Sequence, residues 1–224
     1  MDRRSLLDRN GAFIESGVVS PNVVALLRER FEGVAGRPGT RGFDLTDDVA
    51  ELIGPAGRIG SLARDASRAD VRAVRVLFFD KTPEANWAIP WHQDRTIAVK
   101  ERADAEGFGP WTVKDGVVHV EPPVSLLEEM VTLRLFVDNC DEGNGPLRIA
   151  IGSHRCGRLP AANVNTLARQ SDILVCTGLA GDVLVMKTLA LHSSTAARAP
   201  GHRRVLHVDY SASDLPPPLA WKLN

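Results

Sequence analysis

The chain has 224 residues, 44% of them hydrophobic, with 27 basic and 28 acidic side chains and a formal net charge of −1, enough to bury a substantial core within one domain. Balanced charge of this kind forms no basic stripe, which argues against nucleic-acid partners. No apolar run reaches the roughly 20 residues of a membrane span, and the charged start Met1-Asp2-Arg3-Arg4-Ser5 is not followed by a hydrophobic signal segment, so a soluble cytoplasmic protein is expected.

The first expected element is a packing helix over residues 20–34. Ser20-Pro21 places a cap before proline at the first helical position, and Val23, Val24, Leu26, Leu27 and Phe31 recur at helical spacing. Whether that helix packs wholly on its own sheet or leaves a stripe for a dimer is open, and so is the oligomeric state. A second helical stretch at 47–67, interrupted by Gly54-Pro55, carries Leu52, Ile53, Ile59 and Leu62. From Asp70 the pattern changes to strands: Val71 to Phe79, Trp91 to Val99, Val117 to Val120, Val131 to Asp138, Leu147 to Ile151, Ile173 to Cys176, Val183 to Met186 and Arg203 to Ala212. Lys100 to Pro110 has the composition of a loop, and Leu159 to Arg169 reads as a short helix or a loop. The tail Leu215-Pro216-Pro217-Pro218-Leu219 cannot continue a sheet, because proline lacks the ladder donor, and reads as an extended surface strap.

Eight short strands bounded by Gly, Pro and Asn turns predict a mainly β fold with flanking helices, a double-sheet jelly roll. With no internal repeat or low-complexity linker, residues 1–224 are expected to form one domain. It would have a helical part at about 1–68, a jelly-roll core at about 70–212 and a proline-rich tail. The three cysteines, Cys140, Cys156 and Cys176, lack C-x-x-C spacing, which argues against a disulfide framework or a thiolate zinc site. They read as small buried hydrophobes, with Cys140 beside a turn and open to partial exposure.

The chemistry concentrates in Trp91-His92-Gln93-Asp94-Arg95-Thr96 and Leu191-His192-Ser193-Ser194. On an extended strand residues i and i+2 share a face, so His92 and Asp94 can grip one ion while Gln93 points away. With His192 the set is two imidazoles and a carboxylate on one face of a metal, the arrangement of non-haem Fe(II) oxygenases. A lone H-x-D triplet is more often a strand whose side chains bond each other, and the later segments strengthen the signal. Gly181-Asp182 feeds a buried strand, and Arg203-Arg204 opens another, eleven residues after His192. An oxygenase that consumes 2-oxoglutarate must hold the far carboxylate of that co-substrate, and a guanidinium does so with two parallel charge-assisted bonds. Arg203 and Arg204 face opposite sides of the strand, so only one can serve. The alternation of Val205, His207 and Asp209 against Leu206, Val208 and Tyr210 puts Arg203 on the more polar face.

In these motifs the chain resembles the phytanoyl-CoA dioxygenase family of Fe(II)/2-oxoglutarate oxygenases, from about Val71 to Tyr210. Trp91-His92-Gln93-Asp94 looks like its first metal motif. Leu133 to Asp138, Asn144-Gly145-Pro146-Leu147-Arg148 and Ile151-Gly152-Ser153-His154 are similar to its strand, turn and GSH signature, and Gly181-Asp182, His192-Ser193-Ser194 and Arg203 match its last block. The resemblance implies a double-stranded β-helix of cupin type, with His92, Asp94 and His192 as catalytic iron ligands and Arg203 as the 2-oxoglutarate anchor, assisted by Ser194. It also implies Trp111 as an aromatic and Leu77 as an apolar neighbour of the co-substrate. The implied reaction consumes O2, hydroxylates a small molecule, and releases succinate and CO2. Asp94, where related halogenases carry a small residue, favours hydroxylation. Residues 96–131 depart from the family pattern. Arg95, His119 and Arg134 are candidate substrate contacts, an inward Arg95 or Arg134 favouring a small carboxylated substrate; His119 reads more readily as a half-exposed strand histidine. His154 is expected to make a structural bond to backbone, His202 to be exposed, and His207 to line the pocket or satisfy the interior. Two other classes fit part of the pattern: a cupin-like metal protein or isomerase without 2-oxoglutarate, and a metabolite-binding protein without turnover.

Overall fold

The computed structural model describes residues 3–32, 40 and 45–223. Residues 1–2 of the charged start and residues 33–34 of the expected first helix lie outside them. The helices are α1 (Arg3–Asn10), α2 (Pro21–Glu32), α3 (Asp47–Ile53), α4 (Arg58–Ser67), α5 (Val124–Glu129) and α6 (Ala161–Gln170). The strands are β1 (Ala12–Glu15), β2 (Arg72–Lys81), β3 (Ile89–His92), β4 (Ile97–Val99), β5 (Trp111–Lys114), β6 (Val117–Val120), β7 (Val131–Phe136), β8 (Leu147–Ala150), β9 (Ile173–Cys176), β10 (Val183–Lys187), β11 (His192–Ser194) and β12 (Arg203–Ser211).

They form an antiparallel five-stranded sheet in the order β1-β10-β7-β12-β2, a four-stranded sheet β3-β11-β8-β9, and a three-stranded sheet β4-β6-β5. The first two are the jelly roll. Period-2 alternation divides the larger sheet cleanly. Leu133, Leu135, Val183, Val185, Leu206, Val208 and Tyr210 pack on its outer face against the helices, where Val24, Leu27 and Phe31 of α2 and Ile59 and Leu62 of α4 complete one core. The inner face gives Phe136, Leu184, Met186 and Val205 to a second core with Leu147, Ile149 and Cys176 of the smaller sheet. Burial at about 25 cal/mol per Å² of apolar surface makes these two layers the main stabilising term. Tyr210 of β12 donates its hydroxyl to the Ile53 carbonyl of α3 at 2.9 Å, tying helix layer to sheet. Helix α4 crosses the end of α3 so closely that a methyl on Gly60 would fall 1.9 Å from the Gly54 oxygen.

Several expectations need correction. The strand foreseen at 91–99 is two strands in two sheets, β3 and β4, separated by residues 93–96. Strand β1 in the helical front was not foreseen; it covers the edge of β10 from Ala12↔Met186 to Glu15↔Val183, using hydrophobic residues too few for a period signal. Leu159 to Arg169 proves mostly helical, as α6. Cys140 is buried, whereas Cys156 is exposed. The tail is no surface strap. Leu215, Leu219 and Trp221 fill a third core with Ile97, Val99 and Val120, and Trp221 bridges to Val99. Prolines bar the ladder but leave the side chains around them free to pack. No described helix is long and apolar enough to cross a membrane.

Trp221 is 2% exposed. Trp221→Ala is therefore expected to lower the unfolding free energy by about 3–5 kcal/mol, read as a shift in the urea midpoint. A loss below about 1 kcal/mol would restore the surface-strap reading of the tail.

Candidate metal centre

His192 on β11 stands directly across from His92, the last residue of β3. Their rings lie 4.2 Å apart between centroids. Each Nδ1 is 2.9 Å from the carbonyl two residues earlier, Pro90 for His92 and Ala190 for His192. A carbonyl only accepts, so each Nδ1 carries a proton, and it is Nε2 that bears the lone pair of the neutral ring. Burial and the neighbouring His92 push His192 down to about 4, so it is neutral at neutral pH, as a metal ligand must be.

Asp94 reaches the same point by a route other than strand alternation. It lies past the end of β3, on the irregular segment 93–96, which the buried Gln93 amide anchors. Gln93 Nε2 donates to the Gly157 and Leu189 carbonyls at 2.9 and 2.8 Å, and Gln93 Oε1 accepts from the Leu159 amide at 2.9 Å. Gln93 does point away from the histidines, and its three bonds turn Asp94 back toward them. Asp94 Oδ2 lies 3.9 Å from His192 Nε2 and 3.8 Å from Arg75 Nη2. Burial opposes its charge, but His192, Arg75, His207 and His92 together hold the carboxyl well below the usual range. One ligand atom from each of His92, Asp94 and His192 lies within 4.8 Å of the others, so the three could hold a metal ion. Two neutral nitrogens and one ionised carboxylate suit a divalent transition metal with open positions.

The three residues open onto a cavity of about 160 Å³. Its walls include Leu77, Phe79, Trp87, Ile89 and Leu147, and its charged lining is Arg75, Lys114, Arg134 and Arg203 against Asp94 alone. Arg203 is 4% exposed and gives Nη1 to the Gly145 carbonyl at 2.8 Å; among the described residues it forms no ion pair. Arg204 projects from the opposite face into a two-pronged pair with Asp138, at 2.8 and 2.9 Å. Alternation along β12 thus places Arg203, not Arg204, in the cavity.

A buried polar chain runs under this floor. Arg75 Nε donates to Asp209 Oδ2, and Asp209 Oδ1 accepts from Thr132 Oγ1 at 2.7 Å. Arg134 Nη1 lies 2.9 Å from His207 Nδ1. Since arginine only donates, His207 accepts there and gives its Nε2 proton to Asp209 Oδ1 at 3.0 Å. Arg134 also lies over the Phe79 ring, 5.0 Å from its centroid, and burial together with Arg203 pushes it down to about 10.

Of the residues singled out in the sequence, Leu77, Ser194, Arg134 and His207 line the cavity with the triad and Arg203, and Trp111, Arg95 and His119 do not. Trp111 packs with the third core, 5.6 Å beneath the Arg102 guanidinium. Arg95 pairs with Glu121 at 3.0 Å, and His119 is wholly buried in the small sheet with Nδ1 2.9 Å from the Val117 carbonyl. The segment that departs from the family pattern folds as a separate sheet, which carries those residues away from the floor. His154 bonds the Asp8 carbonyl at 3.1 Å, and His202, more than half exposed, pairs with Asp80 at 2.9 Å. Arg75, Phe79 and Lys81 were not singled out in the sequence, and Asp209 was read only as part of the polar face of its strand. The signal existed: once Leu77 faces the cavity, Arg75, Phe79 and Lys81 share its face by period 2.

The sequence model of the phytanoyl-CoA dioxygenase (PhyH) family matches residues 7–205. No curated protein sequence matches the chain significantly. Among solved structures, EctD from S. alaskensis with 2-oxoglutarate and 5-hydroxyectoine is similar at TM-score 0.69 and 20% identity, over 93% of this chain and 74% of that one. The non-haem alpha-ketoglutarate-dependent epimerase SnoN from nogalamycin biosynthesis aligns at TM-score 0.69 and 17% identity, over 95% of this chain and 80% of that one. HygX from Streptomyces hygroscopicus with nickel and 2-oxoglutarate aligns at TM-score 0.64 and 18% identity, over 94% and 86%. At these identities the likeness establishes the jelly-roll fold.

Arg75 is the sole cation within ion-pair distance of both Asp94 and Asp209 among the described residues. Arg75→Met is expected to weaken binding of one divalent metal ion by about 10–100-fold, the usual effect of removing a group that orients a metal ligand. Metal affinity equal to wild type in the folded variant, measured by competition with a chromogenic chelator, would remove Arg75 from that role.

Proposed function

The chain belongs to the phytanoyl-CoA dioxygenase family, and from that premise we propose that it is an Fe(II)- and 2-oxoglutarate-dependent dioxygenase that hydroxylates a small molecule. One observation carries the reading: a buried guanidinium with no ion-pair partner among the described residues, Arg203, lines the same small cavity as the His92-Asp94-His192 group. His92, Asp94 and His192 hold the iron through two Nε2 lone pairs and a carboxylate. Arg203 receives the far carboxylate of 2-oxoglutarate, and Ser194, on the facing sheet, offers its hydroxyl to the same group. When bound, iron, 2-oxoglutarate and O2 supply the oxidising chemistry, in which a substrate C–H becomes C–OH and the co-substrate leaves as succinate and CO2.

The protein's own part is to bind, orient and exclude water. Leu77, Phe79, Ile89 and Leu147 make the apolar walls, and the two histidine tautomers are set before metal arrives. Asp94 keeps a carboxylate in the ligand set, which favours hydroxylation over halogenation. Among the cavity's cations Arg134, held by His207 and the Phe79 ring, favours a substrate with an anionic group; Arg95 is occupied by Glu121. A cavity of about 160 Å³ is smaller than the roughly 300–1,000 Å³ that encloses drug-sized ligands, so a compact substrate fits better than a CoA thioester. A cupin-like metal protein or isomerase working without 2-oxoglutarate leaves Arg203 unexplained.

Anaerobic Fe(II) and 2-oxoglutarate are expected to give a weak visible charge-transfer band in wild type that His192→Ala abolishes. Arg203→Ala should need about 100-fold more co-substrate, the loss of a charge-assisted pair worth roughly 2–3 kcal/mol. A folded, metal-loaded wild type without the band would sink the co-substrate reading. Arg134→Ala is expected to lower substrate-dependent succinate formation while leaving the band in place, and unchanged turnover would remove Arg134 from substrate contact.

A further inference from the structure

Lys81, the last residue of β2, stands directly across from Arg203 in the ladder, so both side chains enter the sandwich from the same face. It is wholly buried, at 0% exposure. Its Nζ donates to the Thr195 carbonyl and lies 3.4 Å from Ser194 Oγ. Gly145 closes the remaining side. A methyl there would fall 2.9 Å from Lys81 Nζ and 2.5 Å from the Thr195 oxygen, at a φ of +72° that side chains rarely adopt. The Gly145 carbonyl is also the acceptor for Arg203 Nη1. Two buried cations, a serine hydroxyl and a glycine turn therefore share one seat, and among the described residues neither cation has an ion-pair partner. An ammonium buried against a carbonyl, a hydroxyl and the Trp87 ring is costly unless an anion joins it.

Resting on the reading that 2-oxoglutarate occupies the Arg203 seat, we propose that Lys81 is a positioning residue for its far carboxylate. The ammonium bonds the Ser194 oxygen from behind, leaving the hydroxyl proton to point into the cavity, and adds a second positive charge to the seat. Ser194 lines the cavity and Lys81 sits beneath it, so Lys81 acts through Ser194 and through its field.

A lysine in this place makes the seat sensitive to pH. Burial, then Arg203 and Arg134, push Lys81 down to about 8. The other titratable group facing it is Cys140, whose thiol burial pushes up, so it brings no charge near neutrality. Trp87 lies 5.6 Å from Nζ, and Asp80 points to the other face, to His202. Below pH 8 Lys81 is charged and the carboxylate is held; as pH rises through 8 the charge is lost and binding weakens. A dianion in the seat moves the transition upward.

The test is calorimetric titration of 2-oxoglutarate into Ni(II)-loaded protein at pH 7 and pH 9. Wild type is expected to bind about fivefold more weakly at pH 9, the loss that follows when protonating one group with a pKa near 8 improves binding about tenfold. Lys81→Gln should bind about tenfold more weakly at pH 7 with no further loss at pH 9, and Lys81→Arg should keep tight binding at both. A folded Lys81→Gln with wild-type affinity, or a wild-type affinity equal at the two pH values, overturns the role of Lys81. Should Lys81→Gln fail to fold, the wild-type pair of titrations and Lys81→Arg decide. No binding by wild type at either pH overturns the 2-oxoglutarate reading itself, and this proposal with it.

Discussion

A slip of one residue between β12 and its neighbours would exchange the two faces of the larger sheet, and the rest of the structure depends on that register holding. In the observed pairing His207 stands between Leu77 and Arg134, and Asp209 between Arg75 and Thr132. All five polar groups turn inward, while Leu206, Val208 and Tyr210 turn outward beneath the helices. Shifted by one, the strand would press two buried charges into an apolar helix interface and expose three large apolar side chains to the cavity. The first error alone costs several kcal/mol per buried ion. The helical layer thus fixes the chemistry of the cavity it never touches.

The inner face is an unusual thing to bury. Arg75 and Asp209 make a close pair, Asp209 accepts two further bonds from Thr132 and His207, and the His207 tautomer is set by Arg134. A chain so completely bonded behaves as a rigid floor, because removing any member strands a buried charge. Arg134, Arg203 and Lys81 are different. Each is held by neutral acceptors or an aromatic ring; burial pushes all three down, and neighbouring cations push Arg134 and Lys81 down further. Such groups weaken the empty fold, and they make sense where a ligand supplies the missing charge.

Much of this was legible in the sequence. The triad and Arg203 follow from motif spacing and strand alternation, Ser194 and Leu77 from the family resemblance, and the structure brings them around one cavity. The choice between Arg203 and Arg204 was readable from the polarity of Val205, His207 and Asp209 alone. What escaped was structure with no periodic signature. Asp94 joins the histidines through the Gln93 amide and three backbone groups from distant segments, a contact no local pattern records. Trp111 and His119 sit on short strands that could belong to either sheet until the pairing β4-β6-β5 is known. Trp221 was hidden by the prolines before it, which say what the backbone cannot do and nothing about where a following side chain packs.

The charge of the inner face also bears on which ligand completes it. Four cations, Arg75, Lys81, Arg134 and Arg203, stand against two carboxylates, Asp94 and Asp209, so the face is positive before any ion binds. A divalent metal alone, held by His92, Asp94 and His192, would add to that excess. Its field would press on Arg134 and Arg203 in a medium that screens poorly. A dicarboxylate reverses the sign of the problem, with one end at the metal and the other at the Arg203 seat, and it turns the repulsion among the cations into its own binding energy. That asymmetry favours an oxygenase using 2-oxoglutarate over a jelly roll that merely stores a metal.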